Sequence, residues 1–313
     1  MRNRHIASVL FLIALGICAS PHCSAQKFQQ KPLTRTFTAD VEERYQVTAT
    51  IRVETRGITT EKIGEKTYAT PFTHQAEGLV SWRATRKISA INADGTAAIA
   101  ESLDQFHSNC GATPQSNNAS PDLQKSVQDT CSNWQSLSQM KYEEEKFGLI
   151  RGLPVPTNTR DEDGSSLFDY WLRRALRPTV ILPKTALHFG DRAAHKISNT
   201  SGVASNPEGE ESMEWLEASG DTPAATLHVS QNLSWIDPER KKDASTAAGQ
   251  PPARQLFYAD SLNTVSLLDG SLLKASRSAT RETKEILDPV PGLPDVPTFG
   301  SKLTITVTMQ RLP

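Results

Sequence analysis

The sequence predicts a mainly β protein, an antiparallel sandwich or half-barrel built from two similar β halves with one short helix between them. Three observations predict it. Apolar and polar residues alternate with period two over Tyr45 to Glu54 and again over Leu303 to Met309, the pattern of a strand with one buried face. Asp94-Gly95 and Asp269-Gly270 each separate two β-favouring runs, and Asp-Gly between such runs is a strong hairpin signal. Helical periodicity stands out over a single stretch, Ser166 to Leu176. Many strands with turn punctuation and little helix favour a sandwich, half-barrel or barrel.

The clearest hairpin spans Arg254 to Glu285. Leu256, Tyr258, Thr264, Val265, Leu267 and Leu268 precede the turn, and Leu272, Leu273 and Ala275 follow it. Gly270 supplies the positive φ that the turn needs. Two registers are open. A two-residue loop sets Leu267 opposite Leu272; a three-residue loop with a bulge at Gly270 sets Val265 opposite Leu273. The bulged register is favoured, because a slip by one residue turns the apolar set out to solvent. Lys274, Arg277, Arg281, Glu282, Lys284 and Glu285, interspersed with Ser and Thr, make the returning strand half-solvated.

In chain order, Met1 to Ala25 reads as an export leader. Arg2 and Arg4 give a positive start, Ile6 to Ile17 an apolar stretch too short to span a bilayer, and Cys23-Ser24-Ala25 small cleavage residues. Cleavage near Ala25 places the protein in the periplasm or outside the cell. Ile17 before Cys18 and His22 before Cys23 are too bulky for a lipid-attachment box, which favours soluble export over an anchor. No later stretch is apolar enough for a membrane helix. Without Arg2 and Arg4, 32 basic residues face 35 acidic ones, a net charge of −3. That balance argues against nucleic acid, which is bound through concentrated Lys and Arg. About 288 mature residues suffice for one large β domain or two small ones.

Cleavage leaves two cysteines, Cys110 and Cys131. In an oxidising compartment, with no second Cys or His pair nearby, a disulfide is the expected outcome. Closing a loop of about 20 residues stabilises by roughly 3 kcal/mol in the chain-entropy model. The loop carries Ser108, Gln115, Ser116, Asn117, Asn118 and Ser120 and is expected to be floppy without the staple.

Residues 26–156 form the expected N-terminal β half, 157–190 the linker and short helix, and 191–313 the C-terminal half. Lys27 to Arg35 reads as a polar tether and Gly57 to Gly64 as punctuation. Leu79 to Ile91 enters the Asp94-Gly95 turn, and Thr96 to Phe106 returns. Met140 to Ile150 carries an acidic patch, Glu143, Glu144 and Glu145. The helix places Leu167, Tyr170, Trp171 and Ala175 on one face, with Arg173, Arg174 and Arg177 at the end its dipole favours and Pro178 as the stop. Phe189-Gly190-Asp191-Arg192 opens a second series: Ala193 to Asn199, Glu211 to Ala218, Ala224 to Trp235, the Arg254 hairpin, and Leu303 to Met309. Asp237 to Pro252 is an exposed loop and Pro289 to Pro297 a Pro-rich bridge. The order strand, strand, Asp-Gly hairpin, closing strand occurs twice, which suggests duplication from pattern alone.

A leader, a β half with an Asp-Gly hairpin, a Leu-Pro helix and turn, Gly190-Asp191, and a second half carrying Leu267-Leu268-Asp269-Gly270-Ser271-Leu272-Leu273 resemble a loosely defined group of exported, β-rich bacterial proteins of uncharacterised function. The resemblance implies a fold and an envelope location, and carries no catalytic residues over.

Candidate chemistry is sparse. Ser271-Leu272-Leu273-Lys274 spells S-x-x-K and Ser261-Leu262-Asn263 spells S-x-N, but that nucleophile needs a helix start with Lys one turn on, whereas a strand sends Ser271 and Lys274 to opposite faces. His188, Asp191 and His195 are metal-ligand types without a helical H-E-x-x-H to converge them. His74, His107 and His228 are isolated. Asp161-Glu162-Asp163-Gly164 lacks the full calcium-loop spacing, and Glu208, Glu210, Glu211 and Glu214 read as a wet strand edge. Trp82, Trp134, Trp171, Trp215 and Trp235 are candidates to line a sugar or lipid pocket, with core packing the competing role for Trp215 and Trp235. Trp82, Trp171, Trp215 and Trp235 are retained as ligand-binding candidates, with no cofactor, metal or catalytic set. The leading expectation is a non-enzymatic exported protein that holds an apolar or amphipathic ligand, such as a lipid, or an envelope protein partner, against a curved sheet. The alternative is an envelope-polymer hydrolase using carboxylates or a His188/Asp191/His195 metal site.

Overall fold

The computed structural model describes residues 31–110, 120–136, 139–152, 171–197, 208–217, 223–236, 254–286 and 298–313. The leader, the expected 157–165 linker with its acidic Asp161-Glu162-Asp163 turn, the 237–252 loop and the Pro289–Pro297 bridge lie outside them.

Period-two patterning produces one antiparallel sheet of eleven strands. A first meander runs β1 (Glu42–Ile63), β2 (Lys66–Ile91), β3 (Ala97–Asn109), β4 (Gln139–Glu144) and β5 (Ile150–Arg151). A second runs β6 (Arg192–Ile197), β7 (Glu208–Glu217), β8 (Ala224–Ile236), β9 (Arg254–Ser266), β10 (Leu272–Ile286) and β11 (Thr298–Arg311). Their neighbour order is β5-β4-β3-β2-β1-β11-β10-β9-β8-β7-β6, and the sheet is open between β5 and β6. The two meanders thus meet through β1 and β11, whose alternations interlock: Val47 faces Met309, Ala49 faces Val307 and Ile51 faces Ile305. All six are buried. The opposite face of these strands is Thr48, Thr50, Arg52, Thr304, Thr306 and Thr308. At about 1.5–3 kcal/mol for each large buried apolar side chain, this seam alone is a substantial part of the core. The first Asp-Gly turn joins the second and third strands of its meander, and the second joins the fourth and fifth of its own.

Several expectations are corrected by the pairing. Gly57 to Gly64 is not punctuation, since β1 and β2 pair without interruption from Glu42↔Lys87 to Ile63↔Lys66. Ile58, Thr59 and Thr60 keep the ladder going, and the reversal comes at Gly64-Glu65. The Arg254 hairpin is two neighbouring antiparallel strands in neither anticipated register. Val265 faces Leu272, and the extra residue is Leu273 rather than Gly270. Gly270 does take a positive φ of 66°. A Cβ there would also meet the Thr34 carbonyl oxygen at 2.6 Å, because the segment before β1 packs on this turn, with Thr36 N–H donating to the Asp269 carbonyl (2.8 Å). Glu208 to Glu214 is not an edge either. β7 lies between β6 and β8, and β6 sets Lys196 opposite Glu210, His195 opposite Glu211 and Arg192 opposite Glu214.

The stapled loop holds a helix that the sequence reading did not anticipate, α1 (Pro121–Ser136). Its signals were present. Ser120 Oγ accepts the Leu123 N–H (3.3 Å) as an N-cap, Pro121 and Asp122 stand where a first turn favours them, and Leu123, Val127, Cys131 and Trp134 recur at helical spacing. That face packs on β2. Trp134 meets Trp82 edge-on at 6.4 Å between ring centroids. Gly78 leaves no room for a Cβ, which would lie 2.7 Å from Val127 Cγ1 and 2.9 Å from Cys110 Sγ. The Cys110–Cys131 disulfide forms as expected, with the Cα atoms 6.6 Å apart.

The largest departure is a buried charge network. Arg35 and Glu144, read as tether and acidic patch, are inside. Arg35 donates to both carboxylate oxygens of Glu43 (2.8 and 3.0 Å). Arg86 donates to Glu43 (2.9 Å), Glu144, Tyr142 Oη (3.0 Å) and the Pro178 carbonyl (3.0 Å). Tyr142 Oη donates to Glu101 (2.8 Å), which also receives Arg177 (2.5 Å). Three arginines face three glutamates, all buried. Burial pushes the Glu43 carboxyl up, but Arg86 and Arg35 outweigh it and hold the group below its ordinary value.

Two outcomes follow. A carboxylate with a lowered folded-state pKa contributes stability that is present above its unfolded value, about 4.3, and is lost as pH falls through the folded one. Glu43→Gln is therefore expected to cost about 3–5 kcal/mol at pH 7, because it removes one of the two carboxylates that compensate buried Arg35 and Arg86. It is also expected to flatten the fall in urea midpoint between about pH 5 and pH 2. Urea titrations of both proteins across that range measure this. Second, reducing the disulfide is expected to remove about 2–5 kcal/mol, with circular dichroism showing loss of helix before loss of strand.

Candidate ligand cavity

The inner faces of β6 to β10 do not close on one another, and the connecting segment 171–182 crosses over them. Residues 171–175 are helical; residues 166–170 of the expected Ser166–Leu176 helix lie outside the described residues. Ala175, Leu176, Val180 and Leu182 are buried against the sheet. Between segment and sheet lies a partly open cavity of about 420 Å³. β7 contributes Met213 and Glu211, β8 contributes Val229, Gln231 and Leu233, and β9 contributes Phe257, Ala259, Ser261 and Asn263. Trp171, Arg174, Val180 and Ile181 come from the crossing segment. Alternation explains this lining, because each strand's buried phase points here: Arg277, Ser261, Val229 and Met213 form one row across β10 to β7. The volume is within the range of roughly 300–1,000 Å³ typical of small-molecule sites, and a mostly apolar wall with a few polar groups is their usual composition.

Arg277 fixes the crossing segment. Its Nη1 donates to the carbonyls of Arg174 (3.2 Å), Ala175 (3.1 Å) and Arg177 (2.9 Å), its Nη2 to that of Thr179 (2.5 Å), and its Nε to Asn263 Oδ1 (2.8 Å). A cation at the C-terminal end of a helix is favoured by the dipole; here it shares the Arg174 and Arg177 carbonyls with the Arg177 and Thr179 N–H groups (3.0 and 2.8 Å). Burial, with the Arg174 charge adding to it, lowers the Arg277 pKa to about 9. From sequence, Arg277 counts only among the polar residues of a half-solvated strand. The missed signal is phase: between Ala275 and Ala279, residue 277 occupies the buried step of β10.

Of the four tryptophans proposed for a ligand, Trp171 lines the cavity and stands edge-on to Phe257, 6.5 Å between centroids. Trp82, Trp215 and Trp235 are buried in the core cluster, with Trp82 stacked on Phe106 at 6.2 Å. The structure therefore does not bring the four together. His188, Asp191 and His195 do not converge: Asp191 N–H donates to the His188 carbonyl in a turn (3.3 Å), and His195 pairs with Glu211 (3.1 Å) on β7. Among the described residues no three His, Cys, Asp or Glu side chains are grouped to hold an ion. Ser271 is buried, donating to Asp269 Oδ1 (2.7 Å) and accepting from Arg311 (2.6 Å), while Lys274 is exposed. His228 pairs with Asp260 (2.8 Å) on the outer side.

No family model and no curated protein matches the chain. Among solved structures, it is similar to the outer membrane protein OprG from Pseudomonas aeruginosa, at 9% identity over 88% of this chain and 97% of that one, with a TM-score of 0.18. It is also similar to the InvG secretin domain β-barrel from the Salmonella SPI-1 injectisome, at 10% identity over 87% of this chain and 64% of that one, with a TM-score of 0.14. Among the described residues no helix is long and apolar enough to cross a membrane.

Arg277→Met is expected to free residues 175–182. Stranded carbonyls cost about 1–3 kcal/mol each where they stay buried, so amide exchange in that segment should rise at least about tenfold while exchange in β1 and β11 changes little. Hydrogen-exchange mass spectrometry resolved to this peptide is the check.

Proposed function

We propose that the protein is an exported, non-enzymatic β protein that seats an apolar or amphipathic ligand between its concave sheet and the crossing segment. The observation that carries this reading is the cavity of about 420 Å³ between β7–β10 and residues 171–181. A basic and then apolar N-terminal stretch before residue 26 and a disulfide support an oxidising compartment outside the cytoplasm. The outward residues of β1 and β11, Gln46, Thr48, Thr50, Arg52, Thr304, Thr306 and Thr308, support a watery surroundings for that face, since strands facing lipid carry their apolar residues outward.

A polymer hydrolase would need a pair of carboxylates or a comparable set on an open surface. Glu211 is the one carboxylate among the described residues lining the cavity, and Glu43, Glu101 and Glu144 each face buried arginine. That arrangement favours binding over hydrolysis.

The test is retention. Mature protein incubated with an envelope lipid extract, repurified and examined by native mass spectrometry is expected to carry an added apolar mass. Met213→Trp, which fills the cavity from β7, should reduce the retained fraction at least about fivefold with an unchanged circular dichroism spectrum. A protein that retains nothing from such an extract would overturn the proposal.

A further inference from the structure

The side of the sheet away from the cavity carries an ordered set of hydroxyl groups. On β10, Arg277 and Ala279 point inward, so Ser276, Ser278 and Thr280 point outward. Pairing sets Ser276 opposite Thr308 and Thr308 opposite Thr48. In the next row it sets Ser278 opposite Thr306 and Thr306 opposite Thr50. These six side chains stand in two rows of three, about 4.8 Å apart across the strands and about 6.8 Å apart along them. None of the six hydroxyls is engaged in a hydrogen bond among the described residues. In the row beyond, Thr280 and Thr304 bond to each other (3.0 Å). All eight positions are uncharged, so the patch neither attracts nor repels an ion.

The rows end in apolar side chains. On β2, Leu79 stands opposite Thr50 and is 45% exposed. On β9, Leu262 stands opposite Ser276 and Tyr258 opposite Thr280, 41% and 40% exposed. Asp260 lies between them and pairs with His228 (2.8 Å). From β2 to β9 is four strand spacings, or about 19 Å.

This chemistry selects its partner. A charged ligand finds no counter-charge among the hydroxyls, and an apolar surface finds no contiguous apolar area. A peptide strand finds no edge to pair with, because β1, β10 and β11 each have a neighbour on both sides. A hydroxyl both donates and accepts, so a lattice of them matches a molecule whose own groups do both. Tyr258 and Leu262 add apolar surface for the ring faces of such a molecule. Threonine is stiff about χ1, so the hydroxyls of Thr48, Thr50, Thr306 and Thr308 are held in place beforehand and lose little freedom on binding.

We propose that this outer face binds a neutral, extended glycan laid across the strands from β9 to β2, its rings over Tyr258 and Leu262 and its hydroxyls on Ser278, Thr306 and Thr50. The site lies on the opposite face from the cavity and stands without it.

Isothermal titration of the mature protein with cellopentaose, maltopentaose and pentagalacturonate tests it. Cellopentaose, neutral and extended, is expected to bind with a sub-millimolar Kd, at least about fivefold more tightly than coiled maltopentaose or anionic pentagalacturonate. The double variant Thr50→Val with Thr306→Val keeps side-chain shape and removes two hydroxyls. It is expected to weaken cellopentaose at least about fivefold with an unchanged circular dichroism spectrum. Tyr258→Ala is expected to weaken it by about the same factor. Absence of cellopentaose binding at millimolar concentration would overturn the site. Affinity unchanged in the folded variants would overturn its assignment to this face. Tighter binding of pentagalacturonate would overturn the neutral ligand, and equal binding of maltopentaose would overturn the extended path across the strands.

Discussion

Three arginines and three glutamates removed from water are the constraint that organises this molecule. Arg35 comes from the segment before β1, Glu43 from β1, Arg86 from β2, Glu101 from β3, Glu144 from β4, and Arg177 from the segment that crosses the second meander. A hydrophobic contact tolerates sliding, but a buried guanidinium must meet its carboxylate at hydrogen-bond distance or leave a bare charge in a poorly polarisable interior. Six stretches of chain therefore have one acceptable relative placement. Such networks contribute little net stability against an apolar replacement, and in some proteins they specify a unique arrangement. Here that arrangement includes the crossing segment, because Arg86 also donates to the Pro178 carbonyl.

The cavity is a by-product of the same placement. Residues 171–182 are held by Arg177 on Glu101 at one meander and by Arg277 on four backbone carbonyls at the other. Leu182 N–H adds a bond to the Phe147 carbonyl (2.9 Å). With both ends fixed, the segment does not sink onto β7 and β8 where they carry Met213 and Val229. Space persists beneath the cover, whose position is set by these polar contacts together with the burial of Ala175, Leu176, Val180 and Leu182.

The sheet was legible in the sequence where one face is apolar and the other polar. Tyr45 to Glu54 and Leu303 to Met309 announce their strands, and Asp269-Gly270 announces its turn, since these features depend on neighbours in sequence. What was not legible depends on the phase of charged residues within a strand. Glu144 reads as part of an acidic patch and Arg277 as part of a half-solvated strand, and nothing singles out Glu43, Arg86 or Glu101, because a charge is ordinarily outside. Reading the alternation outward from Tyr45 and Ala275 would have placed Glu43 and Arg277 on the inner step. Helix α1 was hidden by composition: its Ser, Gln and Asn content masked a spacing of Leu123, Val127, Cys131 and Trp134 that is helical. Of the ligand candidates, Trp171 alone lines the cavity, since the size of an indole suits core filling equally well.

Pairing β1 with β11 has a consequence for assembly. The central seam joins residues about 250 positions apart, so closing it carries a loop entropy that local hairpins do not face. During synthesis β1 has β2 on one side and bare N–H and C=O groups on the other until β11 is available. A chain in that state is slow to consolidate. It is also open to pairing with the β1 of another copy, so the growing polypeptide depends on being kept apart from its own kind.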